Sequence, residues 1–159
     1  MNTIVLATDG SPSAAQATKT AIELARATGA RIHVVTAWSI PVSAFGAAPL
    51  LASPELDDVE RERAREAGTA AVEEIAAAGL PVSLEVREGP PVEEICAAAG
   101  EQAADLVVLG AHGWGALKRL LVGSVSAGVV HRAPCPVLVA RGRPLRAGHE
   151  SGVAVPTQA

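Results

Sequence analysis

Apolar residues along the chain fall into four continuous runs and one alternating run. The continuous runs read "TIVLATD", "RIHVVTAW", "ADLVVLG" and "CPVLVA". Continuous apolar runs of this length are typical of strands that are covered on both faces, as in a parallel sheet. The fifth run, "LPVSLEV", alternates apolar and polar residues, which predicts a strand at the edge of the sheet.

The segments between these runs show helical periodicity. Predicted helices cover 12–28, 54–79 and 91–103, and a short last one begins near Gly123. In the first of them, one face carries Ala14, Ala17, Ala21 and Ala25. Repeated strand and helix units are typical of crossovers between parallel strands. The pattern therefore predicts an α/β fold with a single open five-stranded, mostly parallel sheet and helices on both faces.

Proline and glycine mark the element boundaries. Pro12 and Pro54 each follow a serine at a predicted helix start, and Gly29 and Gly79 stand at predicted helix ends. The stretch 39–53 has no clear period, so we expect a mobile loop near the strand ends. Residues 142–159 are rich in Gly, Pro and polar residues without a period, which predicts a disordered tail after a single domain over 1–141.

Composition and charge argue against some classes of function. The chain has 159 residues, 17 acidic and 13 basic, with a net charge of −4. It therefore lacks the basic surface that nucleic acid or an anionic membrane requires, and any anion site must be local. No apolar run approaches the ~20 residues that span a bilayer, so we expect a soluble cytoplasmic protein. The two cysteines, Cys96 and Cys135, are expected to be small buried hydrophobic residues.

The stretch "GAHGWGALKRLLVGSVS", residues 110–126, follows the fourth predicted strand and contains four glycines. Ligands of open parallel sheets bind at the carboxyl ends of strands. Glycines let backbone amides approach an anion, and Ser124 and Ser126 add hydroxyl donors at a helix N-terminus, whose dipole attracts negative charge. The loop therefore predicts a phosphate site. Its spacing fits neither G-x-G-x-x-G nor the P-loop.

The spacing Gly110-x2-Gly113-x9-Gly123-Ser124 resembles the ATP-binding signature of the universal stress proteins. The likeness extends to other segments of residues 2–141, namely "VLATDGSPSA", "GPPVEEICAAAGEQAADLVVLGAHG" and "GSVSAGVVHRAPCPVLV". The chain is thus similar to the ATP-binding subgroup of that family. The resemblance implies a Rossmann-like fold of the adenine nucleotide alpha hydrolase-like type.

The resemblance also implies roles for individual residues. Asp9 would contact the ribose, and backbone near Ala7 and Ala37 would frame the adenine. The phosphates would be wrapped by Gly110, Gly113, Gly123, Ser124, Val125 and Ser126. The cofactor would be ATP, with Mg²⁺ arriving on its phosphates.

Partners and function follow from the same resemblance. It implies a homodimer through the last strand, where "CPVLVA" is short, apolar and expected at a sheet edge. It also implies a nucleotide-dependent sensor or switch in stress adaptation, acting on a protein partner that the sequence does not identify.

Alternative interpretations of these residues remain open at this point. Asp9 could cap the first helix, and Gly110 and Gly113 could be ordinary turn glycines. Lys118 and Arg119 could screen phosphates or face solvent. No paired catalytic residues and no metal-ligand spacing are visible, so hydrolysis is expected to be slow at most. The alternative functions are a slow ATP-hydrolysing or nucleotidyl-transferring enzyme and an interaction module that binds no nucleotide.

Overall fold

The computed structural model describes residues 1–39, 54–111 and 123–141. Within these ranges strands and helices alternate along the chain. The elements are β1 (Thr3–Ala7), α1 (Pro12–Thr28), β2 (Arg31–Trp38), α2 (Pro54–Ala77), β3 (Val82–Glu88), α3 (Pro91–Glu101), β4 (Leu106–Gly110), α4 (Ser124–Arg132) and β5 (Val137–Ala140).

The strands form one five-stranded sheet in the order β3-β2-β1-β4-β5, and every neighbouring pair is parallel. This confirms the predicted open α/β fold, and the alternating fifth run is the edge strand β3. The chain leaves β1 first toward β2 and β3 and then returns to the other side of β1 as β4 and β5. The direction of winding therefore reverses between β1 and β4.

Two apolar layers cover the sheet. One layer packs Ile4 and Leu6 of β1 against alanines of α1 and against Ile75 of α2. The other layer packs Val5 of β1 against Ile95 of α3 and residues of α4. Because both faces are covered, all five residues of β1 are buried, as the continuous apolar pattern predicts.

Two predicted helices end earlier than their periodicity indicates. The helix predicted over 54–79 ends at Ala77, because a tight turn follows in which the N–H of Gly79 (φ 75°) donates to the Ala76 carbonyl at 2.9 Å. The helix predicted over 91–103 ends at Glu101, and Ala103 adopts a positive φ of 46°. Helix α1 spans the predicted residues.

Several predictions fall outside the described ranges. These are the mobile loop (apart from Ser39), the disordered tail, and the ligand or solvent roles of Gly113, Lys118 and Arg119. Within the described ranges, Cys96 and Cys135 pack against the second apolar layer but are only half-buried, so the expectation that they are buried hydrophobic residues holds in part. Burial raises the pKa of both thiols.

Candidate functional site

A cavity of about 470 Å³ lies at the carboxyl ends of β1, β2 and β4, where the winding of the sheet reverses. Ligands of open α/β sheets bind at such a position. All the predicted site residues that lie in the described ranges line this cavity. They are Ala7, Asp9, Ala37, Gly110, Gly123, Ser124, Val125 and Ser126.

Further lining residues were not identified from the sequence. They are Thr8, Ala14, Val35, Pro91, Ile95 and Leu109. Strand periodicity is the signal that could have indicated Val35, because residues two apart in a strand share a face and Val35 is two residues before Ala37. Pro91 and Ile95 are one helical turn apart in α3, but which helix covers this part of the sheet depends on the tertiary fold. The added residues make the part of the wall formed by β2 and α3 apolar.

Asp9 lies in the turn between β1 and α1, on the cavity wall. Its Oδ1 accepts a hydrogen bond from the N–H of Ser11 at 2.9 Å. The helix cap is Ser11 itself, whose hydroxyl oxygen accepts the N–H of Ala14 at 3.3 Å. Gly10 completes this turn with φ 74°, a conformation that favours glycine. Ser11 therefore caps the helix, and the exposed Asp9 stabilises the turn that precedes it.

Gly110 ends β4 directly beside the first turn of α1. A Cβ at this position would lie 2.7 Å from the carbonyl carbon of Ser13 and 2.8 Å from the nitrogen of Ala14. Backbone atoms of Ser13 and Ala14 therefore occupy the position where a side chain at residue 110 would lie. The absence of a side chain at Gly110 lets β4 approach α1 closely, and this contact positions the end of the strand at the cavity.

Gly123 is the N-cap of α4 and has φ −62° and ψ 160°. This conformation is open to any residue, so Gly123 is not needed for backbone geometry. Its N–H donates to the Ala111 carbonyl at 2.7 Å, which holds the start of α4 beside the end of β4. Residues 124–126 form the first turn of α4, and the N–H groups of a first turn have no partner within the helix.

The two serines of this turn differ in their hydroxyl groups. The Ser126 hydroxyl is buried and lies 3.1 Å from the Ala111 carbonyl and 3.0 Å from the Gly123 carbonyl. Its single proton is shared between these two acceptors. Ser126 therefore offers its backbone amide to the cavity more readily than its hydroxyl. Ser124 is exposed on the cavity wall.

The charge distribution of the cavity is asymmetric. Among its described lining residues, Asp9 is the one ionisable side chain. The N-terminus of α4 contributes the partial positive charge of the helix dipole and backbone N–H donors. This part of the wall suits an anion, and the carboxylate of Asp9 suits hydroxyl or N–H donors. In the described part of the chain, no group of three or more His, Cys, Asp or Glu side chains is arranged to hold a metal ion.

Sequence comparison identifies relatives along most of the chain. The profile of the Universal stress protein family matches residues 1–141. A universal stress protein of Thermus aquaticus, named for its gene position in the 3′ region of a QAH/OAS sulfhydrylase, is 39% identical over 140 residues. The alignment covers 87% of this chain and 98% of that relative.

Solved structures share the fold. A universal stress protein in complex with cAMP matches with a TM-score of 0.64 and 29% identity, over 87% of this chain and 96% of its own. The universal stress protein from Archaeoglobus fulgidus in complex with dAMP matches with a TM-score of 0.63 and 26% identity, over 88% and 97% of the two chains. Within the described residues, no helix is both long and apolar enough to cross a membrane.

Proposed function

Because this chain belongs to the universal stress protein family, we propose that it binds ATP in the cavity at the carboxyl ends of β1, β2 and β4. Nucleotide occupancy would then change its affinity for a partner protein, as a switch in stress adaptation. We place this switch in the cytoplasm and its nucleotide site in a domain over residues 1–141. The predicted disordered tail, 142–159, would follow that domain.

One observation carries the proposal. The fold brings the acidic turn after β1 and the N-terminal turn of α4 to a single cavity, although Asp9 and Ser124 are far apart in sequence. A carboxylate is a suitable acceptor for the two hydroxyls of a ribose, and a helix N-terminus is a suitable site for phosphate. Two related structures hold cyclic or deoxy adenine nucleotides, which supports an adenine nucleotide as the ligand class.

The proposed orientation of the nucleotide follows from the polarity of the wall. Adenine would lie on the apolar part of the wall near Ala7, Val35 and Ala37. Backbone groups near Ala7 and Ala37 would be its hydrogen-bond partners. The phosphates would lie at the first turn of α4, with the amides of Ser124, Val125 and Ser126 as donors. Gly110 and Gly113 would border them, and Mg²⁺ would arrive bound to the phosphates, whose oxygens it prefers.

Calorimetric titration with ATP, ADP and adenosine tests this proposal. Gly123→Val places a branched side chain beside the proposed phosphate position without demanding a forbidden φ, so the protein should fold and lose most of its ATP affinity. Gly113→Val should have the same effect. Ser124→Ala removes one hydrogen bond to a charged group, worth about 1.5–3 kcal/mol, or roughly a ten- to hundred-fold loss of affinity.

Asp9→Ala serves as the counterpart at the other end of the nucleotide. It should weaken the binding of adenosine and of ATP by the same factor, because the proposed partner of Asp9 is the sugar, which both ligands contain. Circular dichroism verifies that each variant is folded. Wild-type affinity for ATP in folded Gly113→Val and Gly123→Val would contradict the phosphate assignment.

Steady-state phosphate release separates the switch from a hydrolase. Among the described cavity residues there is no His, Lys or Arg to activate water or to neutralise charge on the γ-phosphate. We therefore expect bound ATP to turn over slowly at most. Rapid release of phosphate by the purified protein would favour an ATP-hydrolysing enzyme instead.

A further inference from the structure

A serine, a histidine and a carboxylate form a continuous hydrogen-bonded chain at the β3 edge of the sheet. The Ser83 hydroxyl lies 2.8 Å from Nδ1 of His33 in β2, and Nε2 of His33 lies 3.0 Å from Oε2 of Glu85. His33 and Ser83 are paired in the register of the two strands, and Glu85 follows on the same face of β3. None of the three lines the cavity at the carboxyl ends of β1, β2 and β4.

The hydrogen-bond partners determine which ring nitrogen of His33 carries a proton. Partial burial raises the pKa of Glu85, but hydrogen bonds from Arg87 and His33 outweigh it and lower this pKa, so Glu85 is ionised at neutral pH. An ionised carboxylate only accepts hydrogen bonds, so Nε2 must carry a proton. In the neutral ring Nδ1 is then an acceptor, and the Ser83 hydroxyl donates to it.

This arrangement supplies the three roles of a nucleophilic triad. A base takes the proton of the serine hydroxyl, and a carboxylate holds the base in the correct tautomer and stabilises the imidazolium that forms. In serine hydrolases the two ring nitrogens have the opposite roles, but triads are defined by the geometry and roles of their members. Burial of His33 between its two partners keeps the ring in this orientation.

The surrounding charges favour a positive charge on the ring of His33. Glu85 contacts the ring and also pairs with Arg87 at 2.8 Å. Arg87 in turn pairs with Glu94 and Glu101 of α3. Three carboxylates and one guanidinium give this cluster a negative net charge, which stabilises the imidazolium that forms when His33 takes a proton.

Ser83 is accessible from the open side of β3. The residue is exposed, and β3 is an edge strand of the described sheet. The N–H of Ile32 in β2 donates to the Pro81 carbonyl, so odd-numbered residues of β3 face β2 and even-numbered residues face the open edge. The N–H groups of Val82 and Leu84 therefore point to this edge on both sides of Ser83. There they offer donors for negative charge that develops on a substrate oxygen.

We propose that Ser83 is a nucleophile that takes up an acyl group from an activated acyl donor, such as an aryl ester or a thioester, with His33 as its base. Ser83 Oγ forms a bond to the acyl carbon, and its proton passes to Nδ1 of His33. The bond to the leaving group then breaks, and the imidazolium gives the proton to the departing phenolate or thiolate. The donor must be activated, because Ser83 lies on an open strand, where substrate binding contributes little to the rate.

Acetylation by p-nitrophenyl acetate tests the proposal, with mass spectrometry of peptides to locate and quantify the acetyl groups. Ser83 should be acetylated at least about tenfold faster than Ser124, because a positioned base accelerates proton transfer. Ser124 is the internal control, since it is also exposed but has no hydrogen bond to a described histidine.

His33→Gln removes the base and keeps a side chain that can bond both neighbours. Acetylation of Ser83 at neutral pH should fall at least about tenfold in this variant, and that of Ser124 should not change. Circular dichroism verifies that the variant is folded. His33→Asn replaces His33→Gln if the latter does not fold.

Glu85→Gln tests the positioning role of the carboxylate. In the wild type, acetylation of Ser83 should rise with pH as the imidazolium loses its proton. Glu85→Gln removes a charge that favours the imidazolium, so this rise should occur at lower pH and reach a slower maximum. Loss of a merely structural contact would not move the pH profile.

Three results would overturn the proposal. Equal acetylation of Ser83 and Ser124 would show that the Ser83 hydroxyl is not activated. A wild-type rate at Ser83 in folded His33→Gln would show that His33 is not its base. An unchanged pH profile in Glu85→Gln would show that the three groups do not act as a unit.

Discussion

At Gly110 the first turn of α1 occupies the place where a side chain would stand. The sequence pattern indicated that this glycine clears space for a phosphate, and the structure shows that it clears space for Ser13 and Ala14. Gly123, by contrast, has an ordinary backbone conformation beside the cavity. Substitution of Gly110 is therefore expected to lower the stability of the protein, whereas substitution of Gly123 is expected to lower its affinity for the nucleotide.

Gly110→Ala should destabilise the protein by about 1–3 kcal/mol, because the new methyl group overlaps with backbone atoms of α1. Urea unfolding measures the change. Gly100→Ala is the control, since a Cβ at this helical position meets nothing within 4 Å and should stabilise α3 by about 0.5–1 kcal/mol. Equal stabilities of the two variants would show that β4 does not need the close approach.

Thr36 of β2 is buried, and within the described residues its hydroxyl has no hydrogen-bond partner. Thr36→Val tests the energetic cost of this unpaired hydroxyl. Replacing it with a methyl group removes a buried polar atom without a described partner and should stabilise the unliganded protein by about 1 kcal/mol, or roughly 2–4 °C in Tm. Thr18→Val is the matched control, because Thr18 is equally buried and its hydroxyl donates to the Ala14 carbonyl at 3.1 Å. In thermal unfolding, the Tm of Thr36→Val should be higher than that of the wild type, and the Tm of Thr18→Val should be lower.

At the scale of elements, Arg87 joins the edge strand β3 to helix α3. Its guanidinium pairs with Glu85 of the same strand at 2.8 Å, with Glu94 at 3.5 Å and with Glu101. Glu85 also contacts Nε2 of the buried His33 at 3.0 Å, whose Nδ1 lies 2.8 Å from the Ser83 hydroxyl. Because α3 also supplies Pro91 and Ile95 to the cavity, these contacts help to position part of its wall.

Arg87→Met should lower stability by about 2 kcal/mol at pH 7 and by less in acid. Partial burial raises the pKa of Glu85, but hydrogen bonds from Arg87 and His33 outweigh it and hold this pKa below its ordinary value of 4.5. The stabilising contribution is therefore complete above pH 4.5 and is lost as the pH falls through the lowered pKa.

Thermal unfolding of the wild type and Arg87→Met between pH 7 and pH 3 would measure this loss. Arg132→Met is the control: it removes an exposed pair with Glu93 and should change stability far less than Arg87→Met, because solvent screens that pair. If the difference between wild type and Arg87→Met stays constant down to the lowest pH, carboxylate pairing is not its source.

At the scale of the whole molecule, β5 is an open edge of the sheet in the described chain. Its ladder with β4 includes bonds from the Val107 N–H to the Pro136 carbonyl and from the Ala111 N–H to the Ala140 carbonyl. In a parallel ladder alternate residues face the neighbouring strand. The N–H groups of Val137 and Val139 therefore point to the free edge, and that of Leu138 points to β4.

We predict that two copies of the chain pair through this edge. Val139→Pro removes an outward N–H, so the monomer should remain folded while sedimentation shows loss of the dimer. Leu138→Pro is the control, because it breaks the bond to β4 and should destabilise the monomer itself. A wild-type protein that sediments as a monomer at tens of micromolar would contradict this prediction.

Much of the architecture is determined by the sequence itself. The continuous apolar runs predicted a doubly covered parallel sheet, the alternating run predicted the edge strand β3, and Ser11-Pro12 predicted the start of α1. These features are local, because burial on both faces, alternation and capping each leave a signal within a few residues. The glycine and serine pattern predicted residues that the structure brings to one cavity, although their contact with a nucleotide stays a prediction.

The tertiary structure alone decided which residues meet from distant parts of the chain. It placed α1 in the space left by Gly110, engaged the Ser126 hydroxyl with backbone carbonyls, and brought Val35 and Ile95 to the cavity wall. It also left Thr36 without a partner among the described residues, between β2 and α2. Apart from Val35, whose face strand periodicity could have indicated, none of these residues has a local sequence signal, because each contact depends on how separate elements pack across the sheet.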